Sequence, residues 1–311
     1  MRRSEANTFK KQLPLQLFVL AGIVYIFIFS YIPMFGIIMG FKNYDIVMGI
    51  KGIFTSEWVG FKYFIEFFND YNFSLLMKNT IFISVLKMIF TFPLPIIFAI
   101  MINEIRTIRF KKMVQTASYL PHFISWVVIS GISFRFFSND GILNTIMKNF
   151  NLTDKPIGFL TNPDLFWGLI ISLDVWKELG WWTIIFLAAI TGVSQDIYES
   201  ATIDGAGRLK RIWYITLPCI KPTIVVVLIL ALGNLFGGGL SGSNFEQCFL
   251  LGNTMNSSAS SIIQTYVFKV GLAQGRYAYA TAVGLIQSVI SLVLILTSNF
   301  LAKRISGSGL F

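Results

Sequence analysis

Charge is scarce in this 311-residue sequence: only 13% of residues are Asp, Glu, Lys or Arg, about half the share in an ordinary soluble domain. Length alone suggests roughly two domains. Yet 55% of the residues are apolar and the mean hydropathy is +0.68. A water-soluble fold of this size could not hide that much apolar surface behind so few charges, so the expected solvent is a bilayer. Disorder, fibres and disulfide-stapled secreted scaffolds are excluded. There are two cysteines and one histidine, with no zinc-ligand spacing and no metal site or catalytic constellation. Cys219 and Cys248 flank a long apolar run; as one helix it would hold them roughly 40 Å apart at about 1.5 Å per residue, too far for a disulfide. Acids are scarcer than bases, leaving a net charge of +10. In a soluble protein that would suggest nucleic acid. In a membrane protein it first reports topology, because bases collect on the cytoplasmic side.

What is abundant is apolar runs. A spanning helix needs about 20 mostly apolar residues, and six stretches qualify: about 15–40, 75–103, 113–137, 165–191, 222–247 and 276–302. Arg2, Arg3, Lys10 and Lys11 before the first resemble a signal-peptide start, but the run is too long and no small-residue cleavage site follows. The expectation is a retained helix, with 1–14 as a cytoplasmic segment, 15–302 as the six-helix domain and 303–311 as a cytoplasmic tail, frayed near Ser306 to Gly309. With the N-terminus inside, the inner segments hold fourteen Lys and Arg and the outer ones eight, Lys78 and Arg276 at the outer span ends included. Lys87, Arg135 and Lys177 fall within spans. N-in, C-in is the predicted orientation. Most of the 31 Phe should face lipid, and Trp58, Trp167 and Trp213 near span ends suit an interfacial belt.

One inner loop, about 192–221, is too long for a simple connector. Its residues predict two short helices around a glycine turn. Ser194 can cap the first, with acids in its first turn. Ala201 and Ala206 let another surface approach, and Gly205 and Gly207 permit a sharp turn. Arg208, Lys210 and Arg211 stay in water, Trp213, Ile215 and Leu217 lead into the membrane, and Pro218 marks the next span. From these residues alone the loop reads equally as a plain amphipathic connector or as a docking element.

The same stretch resembles the EAA loop of ABC importer permeases, E-A-A-x-x-D-G-A followed by an apolar run closing in I-x-L-P. Glu199, Ala201, Asp204, Gly205, Ala206, Ile215, Leu217 and Pro218 match in register, and Ser200 replaces an Ala. Tyr31-Ile32-Pro33-Met34, Trp58-Val59-Gly60, Tyr119 to Trp126, Asp204 to Gly207 and Tyr277 to Gly284 resemble the subfamily that imports complex oligosaccharides and polysaccharide fragments. The run Gly237 to Asn244 is longer and richer in Gly than that pattern. The resemblance implies a type I ABC importer permease fold, all-α, with a cytoplasmic coupling helix. Glu199, Ala201, Asp204, Gly205, Ala206, Gly207, Leu217 and Pro218 would then couple to the ATPase. It further implies a second related permease in a heterodimer, two ATPase subunits, an extracytoplasmic solute-binding protein and a bacterial cytoplasmic membrane. The segment Gly205 to Lys210 lacks the spacing and strand context of a phosphate-binding loop. ATP and Mg therefore belong to the ATPase, this chain binds no cofactor, and ATP-driven closure would push the coupling helix to alternate access. A permease for amino acids, peptides or ions is the near alternative. A multipass membrane enzyme is distant, since no acidic metal pair, His cluster or nucleophile elbow is present.

Ionisable residues inside spans usually face a protein interior or an aqueous path. Asp174, Lys177 and Glu178 sit near the middle of the fourth stretch, with Asp174, Glu178 and Trp181 on one helical face and Trp176 and Trp182 nearby. They read either as an internally neutralised pair that packs helices or as a sugar lining, in which aromatic faces cover sugar rings and carboxylates accept hydroxyl hydrogen bonds. Lys177 and Arg135 facing that path would favour an acidic sugar. The fifth stretch is interrupted by Gly237 to Ser243, with Asn234 before and Glu246 and Gln247 after. Non-helical backbone at membrane depth survives only against protein or a water-filled cavity, and broken helices often mark transport sites. The break is thus either the end of the helix or a border of the path. His122, beside Pro121 at a helix break, reads as a hydrogen-bonding core residue rather than a proton relay.

Overall fold

The computed structural model describes residues 2–306; the tail expected to fray lies almost wholly outside them. Helix forms within each expected apolar stretch. Gln12–Phe41, Phe73–Asn103, Arg208–Gly233 and Tyr277–Arg304 are each long and apolar enough to cross a membrane. Pro163–Thr191 has the length, 29 residues, but carries Asp174, Lys177 and Glu178 in its interior. No strand forms among the described residues beyond an isolated bridge between Lys42 and Trp58.

Two stretches depart from expectation. The third is not one straight helix: Ile108–Phe123 and Trp126–Phe136 meet at 99°. Pro121 lacks an amide proton, Ile124 is extended, and Ser125 starts a new helix by accepting from Val128 N at 3.3 Å, so the chain changes direction at a proline followed by a cap. The fifth runs over Arg208–Gly233 instead of 222–247. Pro218 therefore does not begin a span but lies inside a continuous helix. It is preceded by a π-helical turn, Ile212–Thr216, in which Leu217 N donates to Ile212 O. The first helix repeats the device: Phe27–Tyr31 is π-helical, Ile32 N donates to Phe27 O, and Pro33 follows. A proline ring clashes with the carbonyl four residues back, and the wider turn accommodates it.

The chain divides into two compact units. The first comprises residues 1–70 and 267–286. Here Gly40 lies against Ala282, whose backbone N would be 3.2 Å from any added Cβ. Phe41 stacks on Trp58 at 5.6 Å. Arg276 pairs with Glu66 at 2.5 Å and covers the Tyr279 ring, whose hydroxyl donates to Asp70 at 3.2 Å.

The second unit comprises residues 71–266 and 287–311, and helix Pro163–Thr191 is its spine. Its buried positions recur at helical spacing from Phe166 to Ile190. Toward one end Phe166, Leu169 and Ile170 pack with Ile83, Leu251 and Ile262. Toward the other Phe186, Leu187 and Ile190 pack with Ala99, Ile102, Ile220 and Val227. Gly180 brings the backbone of helix Ile108–Tyr119 onto this spine: a Cβ there would sit 2.1 Å from Ser118 O. That crossing needs a residue without a side chain.

Candidate functional site

The loop after helix Pro163–Thr191 folds as its residues predict. Ser194 Oγ accepts from Asp196 N at 3.3 Å and opens helix Gln195–Ile203. Gly205 has φ +75°, a left-handed conformation that residues with side chains disfavour. Ala206 N closes the turn on Ala201 O at 2.8 Å, and Gly207 leads into helix Arg208–Arg211. Glu199, Asp204 and Gly207 are exposed, Ala201 and Ala206 half-buried, Leu217 half-buried and Pro218 exposed. Ile203 and Leu209 are 87% and 73% exposed. Large apolar side chains presented around a polar turn suit a partner surface.

The interior of the second unit holds a polar network centred on the fourth helix. Asp174 and Lys87 are both fully buried and 3.6 Å apart. Ser243 bridges them: Lys87 Nζ donates to Ser243 Oγ at 3.1 Å, and Ser243 Oγ donates to Asp174 Oδ1 at 2.7 Å. Gln247 Nε2 donates to Ile170 O at 3.1 Å and to Asp174 Oδ1 at 3.4 Å. Asn244 Nδ2 donates to Ser84 Oγ at 3.0 Å and Phe236 O at 3.1 Å. Asp174 Oδ2, Gln247 Oε1 and Asn244 Oδ1 are buried without a hydrogen-bond partner. A buried ammonium and carboxylate persist in such surroundings only when paired and hydrogen-bonded.

A second cluster lies one turn along. His122 Nδ1 is 2.9 Å from Glu178 Oε2, and Lys177 Nζ is 3.5 Å from Glu178 Oε1. Lys177 also donates to His122 O and lies over the Trp126 ring. Trp181 stacks on His122 with centroids 4.2 Å apart and planes 1° apart. This cluster sits where the third segment bends, so the bend at Pro121 delivers His122 to the spine helix. His122 is a hydrogen-bonded residue, but it is only partly buried.

The sequence-nominated residues separate into groups. Asp174 and Gln247 join the Lys87 network. Lys177, Glu178 and Trp181 join the His122 cluster. Trp176 is half exposed and takes part in neither. Asn234 is exposed and its side chain ties the glycine loop to itself by donating to Gly239 O at 3.1 Å. Glu246 is exposed at the start of helix Asn244–Leu251 and stands outside both clusters. Lys177 is engaged internally, and Arg135 is exposed on the last turn of Trp126–Phe136. Cys219 is exposed, Cys248 buried, and both are free thiols. Their separation rests on a helix that stops at Gly233, not on one continuous rod.

Two residues of the buried network escaped the sequence reading. Lys87 was visible only as a base within a span, and Ser243 only as part of a glycine-rich run. The signal for Lys87 was a charge in apolar surroundings; its partner lies far along the chain and no spacing rule links them.

Comparison with known proteins agrees with this geometry. Residues 91–307 match the family described as "Binding-protein-dependent transport system inner membrane component". Two proteins of Bacillus subtilis (strain 168), Protein LplB and the polygalacturonan/rhamnogalacturonan transport system permease protein YteP, are each 43% identical over 298 residues. The match covers 96% of this chain and 91% and 90% of theirs. The crystal structure of a bacterial ABC transporter involved in import of the acidic polysaccharide alginate contains a chain 37% identical, with TM-score 0.86, covering 97% of this chain and 99% of that one. A second structure, of bacterial alginate ABC transporter in complex with an alginate pentasaccharide-bound periplasmic protein, matches with TM-score 0.87 and 37% identity, over 98% and 99% of the two chains. The chain belongs to the family of inner membrane components of binding-protein-dependent transport systems.

Proposed function

We propose that the chain is one permease subunit of an ATP-driven importer that moves oligosaccharides or polysaccharide fragments across the bacterial cytoplasmic membrane. The observation that carries this is the exposed helix–turn–helix over 195–211, which holds the coupling motif of the family in register and presents unpartnered apolar side chains around it. The relatives named for polygalacturonan, rhamnogalacturonan and alginate supply the substrate class. The partners are a second, related permease in a heterodimer, two ATPase subunits that hold ATP and Mg, and an extracytoplasmic solute-binding protein. The chain crosses the membrane six times with both termini inside, the bent third segment and the charged fourth counting as spans. Asp174, Lys177, Glu178, Trp181 and Gln247 line or support the path, and Trp176, Asn234 and Glu246 border it from exposed positions. ATP binding closes the ATPase pair, pushes the coupling helix, and rocks the helices from inward- to outward-facing.

The test is co-purification with the ATPase subunit, joined to uptake of labelled oligosaccharide by Glu199→Arg and Gly205→Pro. Both variants should lose uptake. Failure of any ATPase to associate, with intact uptake by both variants, would sink the importer reading. For the path, Asp174→Ala and Glu246→Ala should each lower uptake; wild-type rates in both would remove that assignment.

A further inference from the structure

The loop that meets the ATPase can do work only if its thrust reaches a membrane helix without being absorbed in between. The turn at 204–207 contains Gly205 and Gly207, and glycine is the most compliant residue in the chain. Backbone bonds from Gly205 N to Thr202 O and from Ala206 N to Ala201 O fold the turn but do not tie the two helices to each other. Two side-chain contacts cross it. Arg211 Nη1 donates to Thr202 Oγ1 at 3.1 Å, near the turn. Tyr198 Oη and Thr216 Oγ1 share a hydrogen bond at 2.9 Å, farther from it. Thr202 Oγ1 donates its own proton to Tyr198 O at 2.7 Å, leaving its lone pairs for the guanidinium. Thr216 is buried, 4% exposed.

The register of these contacts is specific. Tyr198 and Thr202 are four apart and share a face of an α-helix. Arg211 and Thr216 are five apart; in an α-helix they would point about 140° away from one another, at about 100° per residue. The intervening turn, Ile212–Thr216, is π-helical, and i→i+5 geometry returns position 216 to the face of position 211. The π turn thus aligns both contacts on one side.

We propose that Tyr198 and Thr216, seconded by Arg211 and Thr202, form a two-rung clamp across the glycine turn that makes the coupling helix and helix Arg208–Gly233 move as one body. They are positioning residues: none touches nucleotide or solute. The proposal rests on the importer reading above.

The experiment uses the whole importer in liposomes with its binding protein, and reads solute imported per ATP hydrolysed together with retention of the ATPase subunit. Tyr198→Phe and Thr216→Val each remove one hydroxyl and keep the side-chain volume. Each should lower the import-to-ATP ratio about five-fold, the effect of one hydrogen bond, while the ATPase subunit stays bound. The double variant should be no worse than either single one, because both remove the same rung. Thr216→Ser keeps the hydroxyl and should retain the wild-type ratio. A wild-type ratio in both single variants overturns the clamp, and so does a Thr216→Ser ratio as low as that of Thr216→Val. If the wild-type chain retains no ATPase, the importer reading falls and takes the clamp with it; if it couples normally and the variants do too, the clamp alone falls.

Discussion

Replacing Lys87 with Met tests the centre of the buried network. At 3.6 Å from Asp174, with an effective dielectric near 20, the ion pair has a Coulomb energy of roughly 4–5 kcal/mol. Met retains most of the side-chain volume, so little of the expected loss comes from a cavity. What remains is a buried carboxylate still receiving hydrogen bonds from Ser243 and Gln247 but with no cation, while its Oδ2 has no partner at all. Breaking a buried pair from one side costs about 3–5 kcal/mol. Asp174→Asn should cost a similar amount by stranding the ammonium of Lys87. The double variant Lys87→Met/Asp174→Asn removes both charges and keeps an acceptor for Ser243. It should cost only about 1 kcal/mol, the hydrogen bond from Lys87 to Ser243. The assay is reversible unfolding of the purified chain in mixed micelles, with all four proteins forming a double-mutant cycle. If the two single losses simply add in the double variant, or if Lys87→Met costs less than about 1 kcal/mol, the pair is not what holds the glycine loop to the fourth helix and the reasoning fails.

Other expectations follow from the same geometry. Gly180→Val should leave little monodisperse protein after mild heating, because its Cβ meets backbone at 2.1 Å, whereas Gly168→Val, with nothing within 4 Å, should tolerate the same heating; equal losses would refute the close crossing. A membrane-impermeant maleimide should label exposed Cys219 only in inside-out vesicles and should leave buried Cys248 unlabelled until the protein is denatured. Labelling of Cys219 from right-side-out vesicles would reverse the proposed orientation.

The sequence made the helices legible because membrane burial depends on apolar length, which is a local property. It also made the glycine turn at 204–207 legible, since Ser194, Gly205 and Gly207 act within a few residues of themselves. Its errors have physical causes. Pro218 and Pro222 look like helix boundaries to a rule that assumes α geometry, yet a π turn admits the first and the helix carries the second in its interior. Pro121 signals a break in the third segment but not its angle, and the 99° bend there is what brings His122 to Glu178. The partners of Asp174 come from residues 87, 243 and 247, and a long-range juxtaposition of this kind leaves no trace in spacing. Trp176 and Glu246 have residue types that suit a path, and both stand exposed outside the two buried clusters.

The Lys87–Asp174 pair also bears on how the chain is made. The two residues are 87 positions apart, so at about 5–20 residues per second Lys87 emerges from the ribosome roughly 4–17 s before its counter-ion. During that interval helix Phe73–Asn103 must enter the bilayer with an unneutralised ammonium, an insertion penalty of about 2.5–3.5 kcal/mol at mid-helix. The helix around it is otherwise strongly apolar and long enough to cross a membrane, which outweighs one charge. Insertion therefore comes first and neutralisation second. Until helix Pro163–Thr191 and then Ser243 arrive, Lys87 is an open socket, and a chain truncated between residues 103 and 174 would hold a spanning helix that the cell's quality control can recognise by its unpaired charge.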